Sequence, residues 1–208
     1  MYEIFYKNFG DFIIENNNNY LIYLIPGEKL EPKFGWYGEK RAEAFNALNE
    51  KSFTSDIEER DTFYTHMIIW DKENMELVGG QRFLFNKKGS IQKKDYSYLE
   101  EYHEGTYEKL KNQSFCEIGR TFVMPDFQNK KILKELIRGF VRIPESKKMT
   151  IGIGLISFNH RSLNKDCINA FLKILKLSNK RPLDLPNGKY IYEDHMDYEI
   201  DSEKFILK

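Results

Sequence analysis

Apolar positions fall in short runs near the start of the chain and at helical spacing later. Residues 1–7 alternate apolar side chains with polar ones and have strand character. Asn16-Asn-Asn-Asn19 is a polar break, a hairpin tip or loop. Residues 20–25 form an apolar run that reads as a buried strand, stopped by Pro26-Gly27. Over residues 39–50, Ala42, Phe45 and Leu48 recur at helical spacing and predict a helix. Residues 65–70 and 76–85 are β-rich and flank the turn Asp71-Lys-Glu-Asn74, which predicts an antiparallel hairpin. A basic loop over 87–94 and a helix over 96–110 follow. Residues 114–124 read as a strand closed by Pro125. Over 128–141, Ile132, Leu133, Leu136, Ile137 and Phe140 form an apolar stripe, an amphipathic helix. Residues 149–158 predict another strand and 163–177 another helix, and the tail from Lys189 alternates as strands do.

This order is mixed α/β (α+β), with a mostly antiparallel central sheet flanked by helices and a late strand–helix–strand unit. No linker or repeat interrupts it, so residues 1–208 read as one domain. Lys plus Arg (32) equals Asp plus Glu (32), which argues against nucleic acid as a general partner. Cys116 and Cys167 stand far apart, and His103 and His195 have no companions at metal-ligand spacing, so neither a disulfide framework nor a metal site is expected. No apolar run reaches the length of a spanning helix, and the N-terminus does not read as a leader; the expected location is cytoplasmic.

Charge matters most where it interrupts apolar elements. Arg41 opens the first apolar helix, Asp61 precedes a strand, and Arg82 lies inside Val78-Gly-Gly-Gln-Arg-Phe-Leu-Phe85. Glu117 and Arg120 lie inside Phe115-Cys-Glu-Ile-Gly-Arg-Thr-Phe-Val123; by strand alternation they face opposite sides. Charges inside apolar strands are costly without partners. Two readings stay open. The five form a salt-bridge network, or they line a polar cleft that binds a charged acceptor.

The same segments carry a resemblance. Arg41-Ala-Glu-Ala-Phe45, Asp61-Thr-Phe-Tyr-Thr-His66 before an apolar strand, Val78-Gly-Gly-Gln-Arg82, Glu117-Ile-Gly-Arg120-Thr-Phe-Val-Met-Pro125 and Ile153-Gly-Leu-Ile-Ser157 occur in order. Together they resemble the hemolysin-like, ornithine-lipid-synthase branch of the GCN5-related N-acetyltransferase (GNAT) superfamily, and more distantly the acyl-homoserine-lactone synthases. One departure is plain. The GNAT phosphate loop has small residues where this chain has Gln128-Asn-Lys-Lys131-Ile-Leu133.

The resemblance implies an N-acyltransferase that moves an acyl group from an acyl carrier protein or coenzyme A thioester to the amine of an amino acid or similar small acceptor. The donor is a substrate, with no permanently bound cofactor. It implies Glu117, Asp61 and Arg120 as catalytic residues, Glu117 being the first choice for the base. It implies Arg41, Arg82, Phe122, Val123 and Ser157 on the substrates, and Val123, Gln128, Asn129, Lys130 and Lys131 on the phosphopantetheine. The basic run Lys130, Lys131, Lys134, Arg138, Arg142, Lys147 and Lys148 fits an acidic carrier protein, and equally a solvated helix face. Membrane contact is compatible with a lipid product, but no amphipathic anchor is evident. Competing readings are an acetyl-CoA-dependent small-molecule acetyltransferase, an S-adenosylmethionine-using lactone synthase, and a degenerate binding module. The histidines read as capping, core or surface residues.

Overall fold

The computed structural model describes residues 2–47, 54–87, 112–128, 131–149, 151–157, 176–177 and 193–199. The expected loop over 88–94 and helix over 96–110 lie outside these residues, as does most of the expected helix over 163–177. The chain divides into two compact units. One comprises Met1–Phe83 with Arg120–Leu136, the other Leu84–Gly119 with Ile137–Lys208.

The first unit begins with a helix, α1 (Tyr2–Phe9), where alternation had predicted a strand. The reason is tertiary. Phe5 and Phe9, one helical turn apart, bring their ring centroids to 4.6 Å. Phe5 is buried against Tyr23, Trp36 and Trp70 at 5.2, 5.8 and 5.3 Å, and such aromatic packing outweighs local strand propensity. The predicted hairpin follows as β1 (Ile13–Asn16) and β2 (Tyr20–Pro26). The Asn17 side chain accepts the N–H groups of Asn19 and Tyr20 and so closes its turn.

A single helical turn, α2 (Gly27–Leu30), leads to α3 (Phe34–Asn46). This helix starts five residues before the expected position. Its buried stripe is Phe34, Tyr37, Gly38, Arg41 and Ala42, spaced as i, i+3, i+4, i+7 and i+8. Arg41 therefore sits inside the helix, and its charge hid part of the buried face from the apolar count. The hairpin β3 (Thr65–Asp71) and β4 (Glu76–Asn86) matches expectation. Strands β1 to β4 are antiparallel neighbours in that order.

Strand β5 (Phe115–Val123) was predicted almost to the residue. Arg120 within it has φ +51°, a left-handed conformation rare for a side chain other than glycine. Alternation is broken there, so the parity that set Glu117 and Arg120 on opposite faces does not carry across this position. The amphipathic helix is α4 (Ile132–Ser146), which starts four residues later than expected and continues past Pro144. Gln128 instead caps the 3-10 turn Pro125–Phe127.

In the second unit β5 and β6 (Ile151–Ser157) run parallel, paired from Phe115–Ile151 to Ile118–Gly154. Strand β8 (Glu193–Glu199) is antiparallel to β6, and the short β7 (Lys176–Leu177) to β8. Lys176 and Leu177, expected to end a helix, are thus strand, held by Glu199 and Tyr198. Within the tail, residues 193–199 form a strand, as its alternation predicted. The result is a mixed α/β fold. No helix among the described residues is long and apolar enough to cross a membrane.

Two glycines seat the segment that carries the acids. A Cβ on Gly27 would collide with the carbonyl oxygen of Asp61 and lie 2.8 Å from those of Thr62 and Tyr64. A Cβ on Gly38 would collide with the Ile57 side chain and lie 2.5 Å from Ser55 Oγ, while the Asp56 N–H donates to the Gly38 carbonyl at 3.1 Å. Gly27→Ala must push backbone rather than a flexible side chain. It should cost about 1–3 kcal/mol and lower the melting temperature by several degrees. Gly10→Ala, which meets nothing within 4 Å, is the control in the same thermal melt.

Candidate active site

The 3-10 turn Glu59–Phe63 places Asp61 beside α3 and β4. Arg41, from α3, grips the Asp61 carboxylate through both terminal nitrogens, at 3.1 and 2.9 Å. Arg82, from β4, donates to the same carboxylate at 2.5 Å. The Glu58 backbone N–H supplies a further donor at 2.9 Å. The side chains of Arg41, Asp61 and Arg82 are fully buried. Burial by itself would raise the Asp61 carboxyl pKa. The hydrogen bonds and charge of Arg41, with the charge of Arg82, reverse this and hold it well below the usual carboxylate range.

Around this core lies a ring of partners that the sequence did not single out. Asp56 accepts from Arg41 Nε at 2.6 Å, and its carboxylate lies 3.4 Å from Arg120. The Glu58 carboxylate lies 3.3 Å from Arg82 and accepts from Arg120. Arg82 stacks over the Tyr64 ring at 4.2 Å, and Arg41 and Arg120 lie near the rings of Tyr37 and Phe45 at 5.5 and 6.0 Å. Asp56 and Glu58 belong to Thr54-Ser-Asp-Ile-Glu-Glu-Arg-Asp61, whose density of polar residues reads as ordinary surface. The one available signal was the acid run just before a buried aspartate.

His66 is also part of the site. Its Nε2–H donates to the Asp61 carbonyl at 2.9 Å, and its ring packs edge-on against Phe34 and Tyr37. Burial pushes its pKa down to about 4, against the opposing pull of the Asp61 charge, so the ring is neutral at pH 7. Burial likewise raises the Tyr37 phenol to about 12. Of the roles considered for His66, the buried one holds.

The structure thus brings Arg41, Asp61, Arg82 and Arg120 together in the first unit. Phe122 belongs there too, buried, with ring centroids 6.1 Å from Tyr37 and 6.3 Å from Phe45. Val123 ends β5, half-buried; Gln128 and Lys131 are exposed. Glu117 lies in the second unit, buried, at the β6 register position of Ile153. Ser157 ends β6 opposite Glu193 of β8. Asn129 and Lys130 lie outside the described residues.

Two expectations follow for stability. Asp61→Asn leaves two buried guanidinium groups without their shared counter-charge and should cost about 3–5 kcal/mol in urea denaturation. His66 is neutral when folded and accepts a proton near pH 6.5 when unfolded. Its contribution is therefore complete above pH 6.5 and is lost as pH falls towards 4, about 3 kcal/mol in all. His66→Phe should flatten that part of the stability–pH curve.

Comparison with known proteins gives this site its family context. Residues 40–138 match the acetyltransferase (GNAT) domain family, a span that contains Arg41, Asp61, Arg82, Glu117 and Arg120. No curated protein matches the chain by sequence. Among solved structures, the acyl-homoserine-lactone synthase LasI superposes with TM-score 0.60 at 12 % identity, covering 86 % of this chain and 89 % of its own. BjaI, a CoA-dependent acyl-homoserine-lactone synthase with SAM and isopentyl-CoA, gives 0.59 at 12 %, covering 88 % and 85 %. A putative acetyltransferase from Salmonella typhimurium, yncA, with its cofactor acetyl-CoA, gives 0.51 at 13 %, covering 88 % and 95 %. The domain match over residues 40–138, together with the fold shared with these proteins, marks this chain as an acyltransferase enzyme.

Proposed function

We propose that the enzyme is an N-acyltransferase that moves an acyl group, of fatty-acyl type, from an acyl carrier protein or CoA thioester to the amine of an amino acid or similar small acceptor. The observation that carries this reading is the ion cluster around Asp61. It is buried at one end and opens to solvent at the other, where the Arg120 side chain is 32 % exposed and that of Glu58 28 %. A guanidinium within reach of solvent, held in place by its neighbours, suits an acceptor that carries a carboxylate as well as an amine.

In this reading Glu117 takes the proton from the acceptor ammonium. The free amine attacks the thioester carbonyl, the tetrahedral adduct collapses, the C–S bond breaks, and the thiolate leaves and takes up a proton. Asp61 has a different part. With four donors on its carboxylate and a strongly lowered pKa it is a weak base, and it serves to anchor Arg41 and Arg82. Phe122, Val123 and Ser157 line the substrates, and Gln128, Asn129, Lys130 and Lys131 hold the phosphate end of the donor.

Support for a carrier-protein donor comes from α4 and its surroundings. Lys131, Lys134, Arg142, Lys147 and Lys148 are exposed and Arg138 half-buried, so their charge is available to an acidic partner. The Gln128–Leu133 stretch lacks the small residues that let backbone N–H groups surround a pyrophosphate, which favours the carrier protein over CoA as the donor. The ornithine-lipid-like branch within the superfamily is part of this proposal.

The test is thiol release from acetyl-CoA, a long-chain acyl-CoA and a long-chain acyl carrier protein, each with an amino-acid panel. Amine-dependent release is expected with the long-chain donors, and most with the carrier protein. Glu117→Gln should lower turnover on the order of 100-fold. Release from acetyl-CoA alone would replace this reading with a small-molecule acetyltransferase, and no release from any donor with a binding module.

A further inference from the structure

Arg41, Arg82 and Arg120 face the acids of this site, with Arg60 at 3.8 Å from Glu58 on its rim, and they are not equivalent. Arg41 and Arg82 are fully buried and share the equally buried Asp61, so neither is open to a ligand. Arg120 differs in exposure and in its partners. It ion-pairs with Asp56 and Glu58, and these two carboxylates are held in different ways. Asp56 is one-tenth exposed. Its N–H bonds to the Gly38 carbonyl, its own carbonyl accepts from Arg41, and its carboxylate is bound to Arg41 Nε. Glu58 is anchored by its backbone, whose N–H donates to the Asp61 carboxylate and whose carbonyl accepts the Asp61 N–H. Its side chain, more than a quarter exposed, can rotate away without disturbing either backbone bond.

We propose that Arg120 is the cation of a carboxylate-binding subsite, that the Glu58 carboxylate is its internal occupant, and that a carboxylate-bearing acceptor binds by displacing it. This deepens the function proposed above and rests on it for the identity of the ligand as acceptor. The exchange leaves the machinery in place. With Glu58 swung into water, Arg120 keeps Asp56 and the Phe45 ring as supports, and Arg82 keeps Asp61. The Asp61 N–H, which the Glu58 carboxylate also accepts as part of a capping box, keeps its bond to the Glu58 carbonyl. One carboxylate replaces another on the same guanidinium, so the charge of Arg120 stays matched throughout the exchange.

Glu58 also sets selectivity. A tethered carboxylate competes at an effective concentration in the millimolar range or above, so a free carboxylate needs further contacts to win. An amine without a carboxylate does not compete for Arg120 at all. Removing the Glu58 charge must therefore strengthen binding of carboxylate-bearing acceptors selectively.

The experiment is calorimetric titration of wild type and Glu58→Gln with matched pairs: L-ornithine and 1,4-diaminobutane, L-leucine and 3-methylbutylamine, L-serine and ethanolamine. Glu58→Gln should tighten binding of the amino-acid member by roughly tenfold, the range expected for losing a tethered competitor, and leave the amine member unchanged. Adding Arg120→Gln should abolish the gain. Glu58→Ala, which removes the side chain beyond Cβ, should reproduce the selectivity and covers the case in which the glutamine variant folds poorly. A gain for both members of a pair, or for neither member of any pair, would overturn the proposal. Thiol release measured on the same samples separates the two readings. Selective binding without acyl transfer keeps the subsite and removes the acyltransferase function, whereas transfer without selectivity does the reverse.

Discussion

The buried carboxylate of Asp61 is the constraint around which the described site is arranged. Two fully buried arginines from different elements, Arg41 of α3 and Arg82 of β4, end on it. Taking three charges out of water is tolerated only because each finds charged partners at hydrogen-bond distance. That demand fixes the neighbourhood. The 3-10 turn must present Asp61 in one orientation, and the His66 bond to its carbonyl and the close seat of Gly27 hold it there. The neutral state of His66 belongs to the same logic, since a third buried cation would have no counter-charge on this carboxylate.

A network of this kind contributes more to definition than to net stability. Its ion pairs recover what desolvation costs, and the gain is a unique geometry. What that geometry delivers is graded exposure. The innermost pairs are sealed, Asp56 is nearly so, and Glu58 with Arg120 faces solvent. A preorganised guanidinium at such a rim loses little conformational freedom when it binds a ligand. The left-handed backbone of Arg120 is part of the arrangement: strain of this sort persists only where the surroundings over-determine it, and here two carboxylates and an aromatic ring do so.

The fold around the site follows from ordinary packing. Helices α1 and α3 pack on the β1–β4 sheet of the first unit, and the aromatic contacts of Phe5 with Tyr23, Trp36 and Trp70 show how one side chain can decide the state of a whole segment. That segment, residues 2–9, has apolar side chains at spacings compatible with strand and helix alike, and only the pocket formed by distant rings selects the helix.

Much of the architecture was legible in the sequence. The hairpin of β3 and β4, the strands β2, β5, β6 and β8 and the helix α4 all follow from apolar periodicity and turn residues, because those signals are local. Arg41, Asp61, Arg82, Glu117 and Arg120 stood out because charge inside an apolar element demands an explanation wherever it occurs. The partnerships were not legible. Asp61 finds arginines 20 and 21 residues away, and Glu58 finds Arg120 at a separation of 62. Spacing along the chain carries no information about which charges meet across a fold. For the same reason Asp56 and Glu58 looked like ordinary surface. The sequence by itself determined which charges could not stand alone. Only the tertiary structure decided who neutralises them, which are sealed and which face water, because burial and pairing depend on distances that topology creates.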